Sequence, residues 1–117
     1  MINLKPGTRV FLSCRPIDLR KGFNGLVALI TNELQHDSYS GHLFVFRGKR
    51  GDYLKMLYWD GTGLCLFAKR LEQGIFAWPP VIDDCMTLSQ GQFTMLTEGI
   101  DWRRTVVVPA PQRPVSL

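Results

Sequence analysis

Ten carboxylates, two histidines and three cysteines are the groups with which this chain could do acid–base, metal or nucleophilic chemistry. A two-metal nuclease needs carboxylates from separate elements converging on paired ions. Here Asp18, Asp60 and Asp101 form the set that would serve such an enzyme. Most acids have simpler duties. Asp18 suits a helix cap, Asp52 and Asp60 suit turns, and Asp83-Asp84 adjoins a loop. A nucleophilic hydrolase would need a serine or cysteine beside a positioned histidine. His36 and His42 flank a polar loop, outside any nucleophile motif. Cys14, Cys65 and Cys85 are odd in number and widely spaced, with no CxxC pair. They read as thiols of a reducing compartment rather than zinc ligands. The segment Arg47-Gly48-Lys49-Arg50-Gly51 lacks the Gly-Lys-Ser/Thr of a triphosphate-binding loop. The expectation is a protein that is not an enzyme, with no catalytic residues, metal or cofactor.

The cations carry more information. Fourteen Lys and Arg against ten Asp and Glu leave a net charge of +4, and the pI is near 9.2. That mild excess is compatible with an anionic partner. Arg47, Lys49 and Arg50 gather at one predicted hairpin tip, with Lys55 on the next strand and Lys69-Arg70 at the end of the one after. Arg20 and Lys21 form a second patch at a predicted helix start, where cations oppose the helix dipole. Together these eight residues are the candidate contacts for nucleic-acid phosphates. Strand aromatics beside them, Tyr58 and Trp59, could instead fill a protein partner's pocket. A protein–protein adaptor docking through an aromatic sheet face is the alternative reading, and a metal-dependent nuclease the third.

The elements that would position these groups follow from periodicity. Arg9 to Cys14 is a short strand stopped by Pro16. Leu19, Phe23, Leu26, Val27, Ile30 and Leu34 recur at helical spacing and predict a helix over 18–35. Gly22 and Gly25 weaken that helix, so their missing side chains imply a close approach. Beyond His36 the period drops to two. Runs at 43–46, 53–59 and 64–68, separated by glycine-rich turns, predict an antiparallel meander, with a further β-like run at 74–78. Ser89 and Gln92 predict a capping box, and Gly99 a helix stop. The fold class is therefore α+β: a mostly antiparallel β-meander packed with one amphipathic helix, plus a short C-terminal helix. One domain is expected over 1–108, followed by a Pro-rich extended or disordered tail at 109–117. No run approaches the ~20 apolar residues of a membrane span, so a cytoplasmic protein without membrane contact is expected.

Several segments resemble a known family. Asp18-Leu19-Arg20-Lys21-Gly22-Phe23-Asn24-Gly25-Leu26, the run Ser40 to Asp52, Trp59-Asp60-Gly61-Thr62-Gly63-Leu64-Cys65-Leu66, Lys69-Arg70-Leu71-Glu72 and Glu98-Gly99-Ile100-Asp101-Trp102-Arg103 are similar to TnpB of the IS66 insertion sequences. That accessory protein is the product of the element's second reading frame. The resemblance spans about residues 8 to 104. It implies a role in DNA transposition beside a separate, larger transposase, with that transposase and the insertion-sequence ends as partners. It carries over no catalytic residue. Asn24 and Thr62 depart from it, standing where an acid is expected.

Overall fold

The computed structural model describes residues 4–106 and 108. The predicted tail at 109–117 lies outside them. Seven elements follow in order: β1 (Val10–Ile17), α1 (Phe23–Asn32), β2 (Leu43–Gly48), β3 (Tyr53–Trp59), β4 (Leu64–Arg70), β5 (Cys85–Leu88) and α2 (Gln90–Thr97). The strands form one sheet in the order β4-β3-β2-β1-β5. β2, β3 and β4 make the expected meander, and β5 pairs antiparallel with β1. The β1–β2 pair is parallel, because α1 carries the chain back across the sheet. The fold is thus α+β with a mixed, mostly antiparallel sheet.

Alternation along the strands divides the core in two. On one face Phe11, Phe44, Phe46 and Leu57 pack with Leu26, Leu29 and Ile30 of α1. On the other, Val10, Leu12, Leu43, Val45, Leu54 and Met56 pack with Phe93 and Leu96 of α2 and with Phe76, Trp78 and Trp102 from the connecting segments.

Three local expectations need correction. First, the amphipathic helix begins at Phe23, five residues later than its pattern implied. Asp18 does not cap it: its carboxylate accepts from the Arg20 backbone N–H at 2.9 Å and is held by the Arg20 guanidinium. Leu19 is buried from this turn, not from the helix, and Gly22 is the N-cap, without a side-chain bond. At the other end Gln35 takes a left-handed conformation, φ 56°. Second, Pro16 does not stop β1. It falls in the register break between Ser13 and Ile17, where a missing N–H costs no ladder bond, and Ile17 resumes pairing opposite Gly48. Third, residues 74–78 form no strand. The segment is fixed through one acceptor instead: Gly51 C=O receives the Phe76 N–H at 3.0 Å and the Trp78 indole N–H at 2.9 Å.

Candidate nucleic-acid interface

Two chain turns build a basic concavity. The β1–α1 connection contributes Asp18, Leu19 and Arg20, and the β2–β3 hairpin contributes Gly48, Lys49, Arg50, Tyr53 and Lys55. They enclose a groove of about 540 Å³ on the α1 side of the sheet. Close packing sets its depth, since a Cβ on Gly48 would lie 2.7 Å from Leu19 Cδ1. The Lys55 ammonium donates to the Lys21 backbone C=O at 3.1 Å, tying the hairpin to the start of α1. A second recess, lined by Arg50, Tyr53, Ala68, Arg70 and Glu72, shares Arg50 and Tyr53 with the groove and extends it across β4.

The groove's charge is fixed by partial pairing. Arg20 is bound to Asp18 at 2.8 Å and Arg50 to Asp52 at 2.9 Å, while no carboxylate pairs with Lys49 or Lys55 among the described residues. Four lining cations less those two carboxylates leave +2. The Arg20 guanidinium, helped by the Arg20 backbone N–H, holds the Asp18 carboxyl far below the usual carboxylate range. Both charges of that pair therefore persist at any neutral or mildly acidic pH.

The structure brings Arg20, Lys49, Arg50 and Lys55 together, places Arg70 in the adjoining recess and sets Lys21 beside them through its backbone. Arg47 and Lys69 point to the opposite, α2 face. Arg47 stacks over Trp78 at 5.3 Å, and the Lys69 ammonium donates to Thr97 C=O at 2.6 Å, satisfying a carbonyl in the last turn of α2. Tyr58 and Trp59 also diverge. Tyr58 packs on the α2-side core, whereas Trp59 meets the exposed Tyr39 edge to face at 5.3 Å. Of the strand aromatics that the sequence offers for stacking on bases, Tyr53, Tyr58 and Trp59, only Tyr53 lines the groove.

The residues considered for catalysis are engaged locally. Asp60 caps its own hairpin, accepting from Thr62 N–H at 2.9 Å, Gly63 N–H at 2.9 Å and the Thr62 hydroxyl at 3.1 Å. These bonds, the backbone ones foremost, hold its carboxyl down at about 2. Asp101 is gripped by Arg103 through two bonds of 2.9 Å and is likewise lowered to about 2, with the guanidinium the main cause. Thr62, the departure from the expected acid, thus takes part in the turn. Both histidines, expected as loop surface, have structural roles: the His36 ring packs tilted against Phe11 at 4.2 Å between centroids, and His42 Nδ1 accepts the Arg9 N–H at 2.9 Å. Cys14 is buried and Cys65 and Cys85 half-buried, all three as free thiols. Among the described residues no three His, Cys, Asp or Glu side chains come together as a metal site, and no helix is long and apolar enough to cross a membrane.

Fold and groove together define a small α+β protein that offers a cationic surface concavity. The chain matches the family described as IS66 Orf2 like protein over residues 8–106, and it belongs to that family of insertion-sequence accessory proteins, TnpB of IS66. It is 44% identical over 117 residues to the uncharacterized protein y4jC of Sinorhizobium fredii, covering 100% of this chain and 99% of that one. It is 41% identical over 95 residues to y4hO of the same organism, covering 81% and 83%. No solved structure matches it.

Proposed function

We propose that the protein is a non-catalytic accessory factor of transposition that holds DNA backbone at the insertion-sequence ends in the groove beneath Arg20, Lys49, Arg50 and Lys55, while the transposase does the chemistry. One observation carries this reading: cations from two separate turns converge on a single concavity floored by Tyr53. Phosphates gain from such a field, and Lys49 and Lys55, which no carboxylate pairs among the described residues, supply its uncompensated charge while Arg20, Arg50 and Arg70 are held by Asp18, Asp52 and Glu72. Lys21 extends the rim. The Trp59–Tyr39 pair lies outside the groove and is the aromatic contact left for the transposase, with Tyr58 contributing only its uncovered edge.

The test is the salt dependence of binding to a duplex carrying an insertion-sequence end, followed by fluorescence anisotropy. Affinity falls as salt rises, and the Lys49→Ala/Arg50→Ala double variant lowers the slope of log K against log salt by about 2, close to one for each phosphate no longer neutralised. Lys69→Ala, whose ammonium is committed to Thr97 on the other face, leaves the slope unchanged. Affinity indifferent to salt, or equal effects from Lys69 and Lys49, would refute the groove as the DNA contact.

A further inference from the structure

The α2 face of the sheet holds a second recess, of about 390 Å³, whose lining includes Arg47, Ile75, Phe76, Trp78, Asp101 and Arg103. Its charges are unevenly matched. Asp101 is taken up bidentately by Arg103, which also donates to the Trp78 C=O at 3.3 Å. Arg47 has no such partner. Its buried Nε finds no acceptor, and no carboxylate lies within ion-pairing distance of it among the described residues, although Arg15, Arg20, Arg50, Arg70 and Arg103 each have one. The thiol of Cys14, charge-coupled to Arg47, is pushed up by burial and stays neutral, so it supplies no counter-charge. Its position over the Trp78 ring, 5.3 Å from the centroid, gives a cation–π contact but no acceptor for the Nε–H. A guanidinium whose Nε is buried without an acceptor and which no carboxylate pairs is left incompletely satisfied, and an anion reaching its exposed nitrogens would complete it.

We infer that this recess receives one carboxylate side chain, Asp or Glu, from an acidic and apolar peptide segment of a protein partner, with Arg47 as the receptor. Two guanidinium groups against one carboxylate leave a net charge of +1, which a single monoanion neutralises. A nucleic-acid backbone would bring further negative charge against Asp101. The apolar part of the lining fits a peptide as well: Ile75 is 68% exposed beside the buried Phe76 and Trp78, a surface for an aliphatic residue flanking the acid. The planar fork of Arg47 matches a carboxylate in two parallel bonds. This site lies across the sheet from the DNA-contacting groove and does not depend on it.

The test uses the full-length, nitrogen-15-labelled protein and three probes: acetyl-Leu-Glu-Leu-amide, its Gln counterpart, and inorganic phosphate. The resonances followed are the Arg47 Nε–H and the Trp78 indole N–H. The Glu peptide is expected to shift both saturably and to bind about tenfold more tightly than the Gln peptide. Arg47→Gln removes that preference and Arg47→Lys, which keeps the charge without the fork, weakens it. Lys49→Ala/Arg50→Ala leaves it intact. Equal affinity for the Glu and Gln peptides, a preference that survives in both Arg47 variants, or phosphate binding more tightly than the peptide would each overturn the inference.

Discussion

At the scale of single residues, Gly48 shows how a position chosen for one reason does a second job. Its missing side chain admits Leu19, buried against it from the β1–α1 turn, and that contact sets the groove's depth. Gly48→Ala is expected to cost about 1–3 kcal/mol by overpacking, read as a lowered denaturation midpoint, and to weaken the DNA binding proposed for the groove together with stability. Asp60 yields a pH prediction. Its carboxyl is lowered to about 2 in the folded protein from an ordinary value of 3.8, so between those values the unfolded chain binds more protons. The stability it contributes is complete above about pH 5 and is lost as the pH falls through 3.8 toward 2. Urea midpoints should decline over that window, and less steeply in Asp60→Asn; identical profiles would show the turn to be indifferent to the charge. Asp60 was readable as a turn residue from the adjacent glycines. The Gly48–Leu19 contact was not, because it joins residues far apart in the chain.

The elements were legible where the local signal and the tertiary environment agree. The hairpins of β2, β3 and β4 and the capping box of α2 are such cases. Ser89 Oγ accepts the Gln92 N–H at 3.0 Å while Gln92 Oε1 accepts the Ser89 N–H at 3.0 Å. In a helix of only eight residues, that reciprocal pair is a large share of the local stabilisation. Ser89→Ala should cost about 1 kcal/mol, measured by thermal unfolding, and Ser89→Asp should retain most of it; a neutral Ser89→Ala would mean that tertiary packing alone holds α2. Where the signals conflict, the environment decides. Helical periodicity from Leu19 onward overreached because Arg20 takes the Asp18 carboxylate and the chain turns before the helix starts. Close approach explains Gly25, where a Cβ would sit 3.1 Å from Lys21 Cβ, but not Gly22, around which the space is open. β5 has four residues and no alternating pattern of its own, and it forms because β1 presents a free edge. Residues 74–78 have β-like composition, but Gly51 draws Phe76 and Trp78 into side-chain and loop contacts instead.

For the whole molecule, the decisive feature is a sheet whose two faces both carry core. The sequence marked which residues are apolar in alternation, yet a meander with one helix would need only one buried face. The second becomes apparent only when β1 enters the sheet between β2 and β5, parallel to β2, and α2 folds across the other side. Candidate cations on a single strand pair were therefore sorted by register: Leu54 lies opposite Lys69 and Lys55 opposite Ala68, so the two lysines face opposite layers. The same arrangement makes a mechanical prediction. Leu26 and Leu96 are fully buried in separate layers, and removing either side chain leaves a cavity worth about 2–5 kcal/mol. Because every central strand contributes to both layers, weakening one side must weaken the other. In a Trp59→Phe background, where the remaining Trp78 and Trp102 both report the α2 layer, Leu26→Ala should lower the fluorescence midpoint by as much as it lowers the midpoint of far-ultraviolet circular dichroism. Two separate transitions would show the layers to be independent.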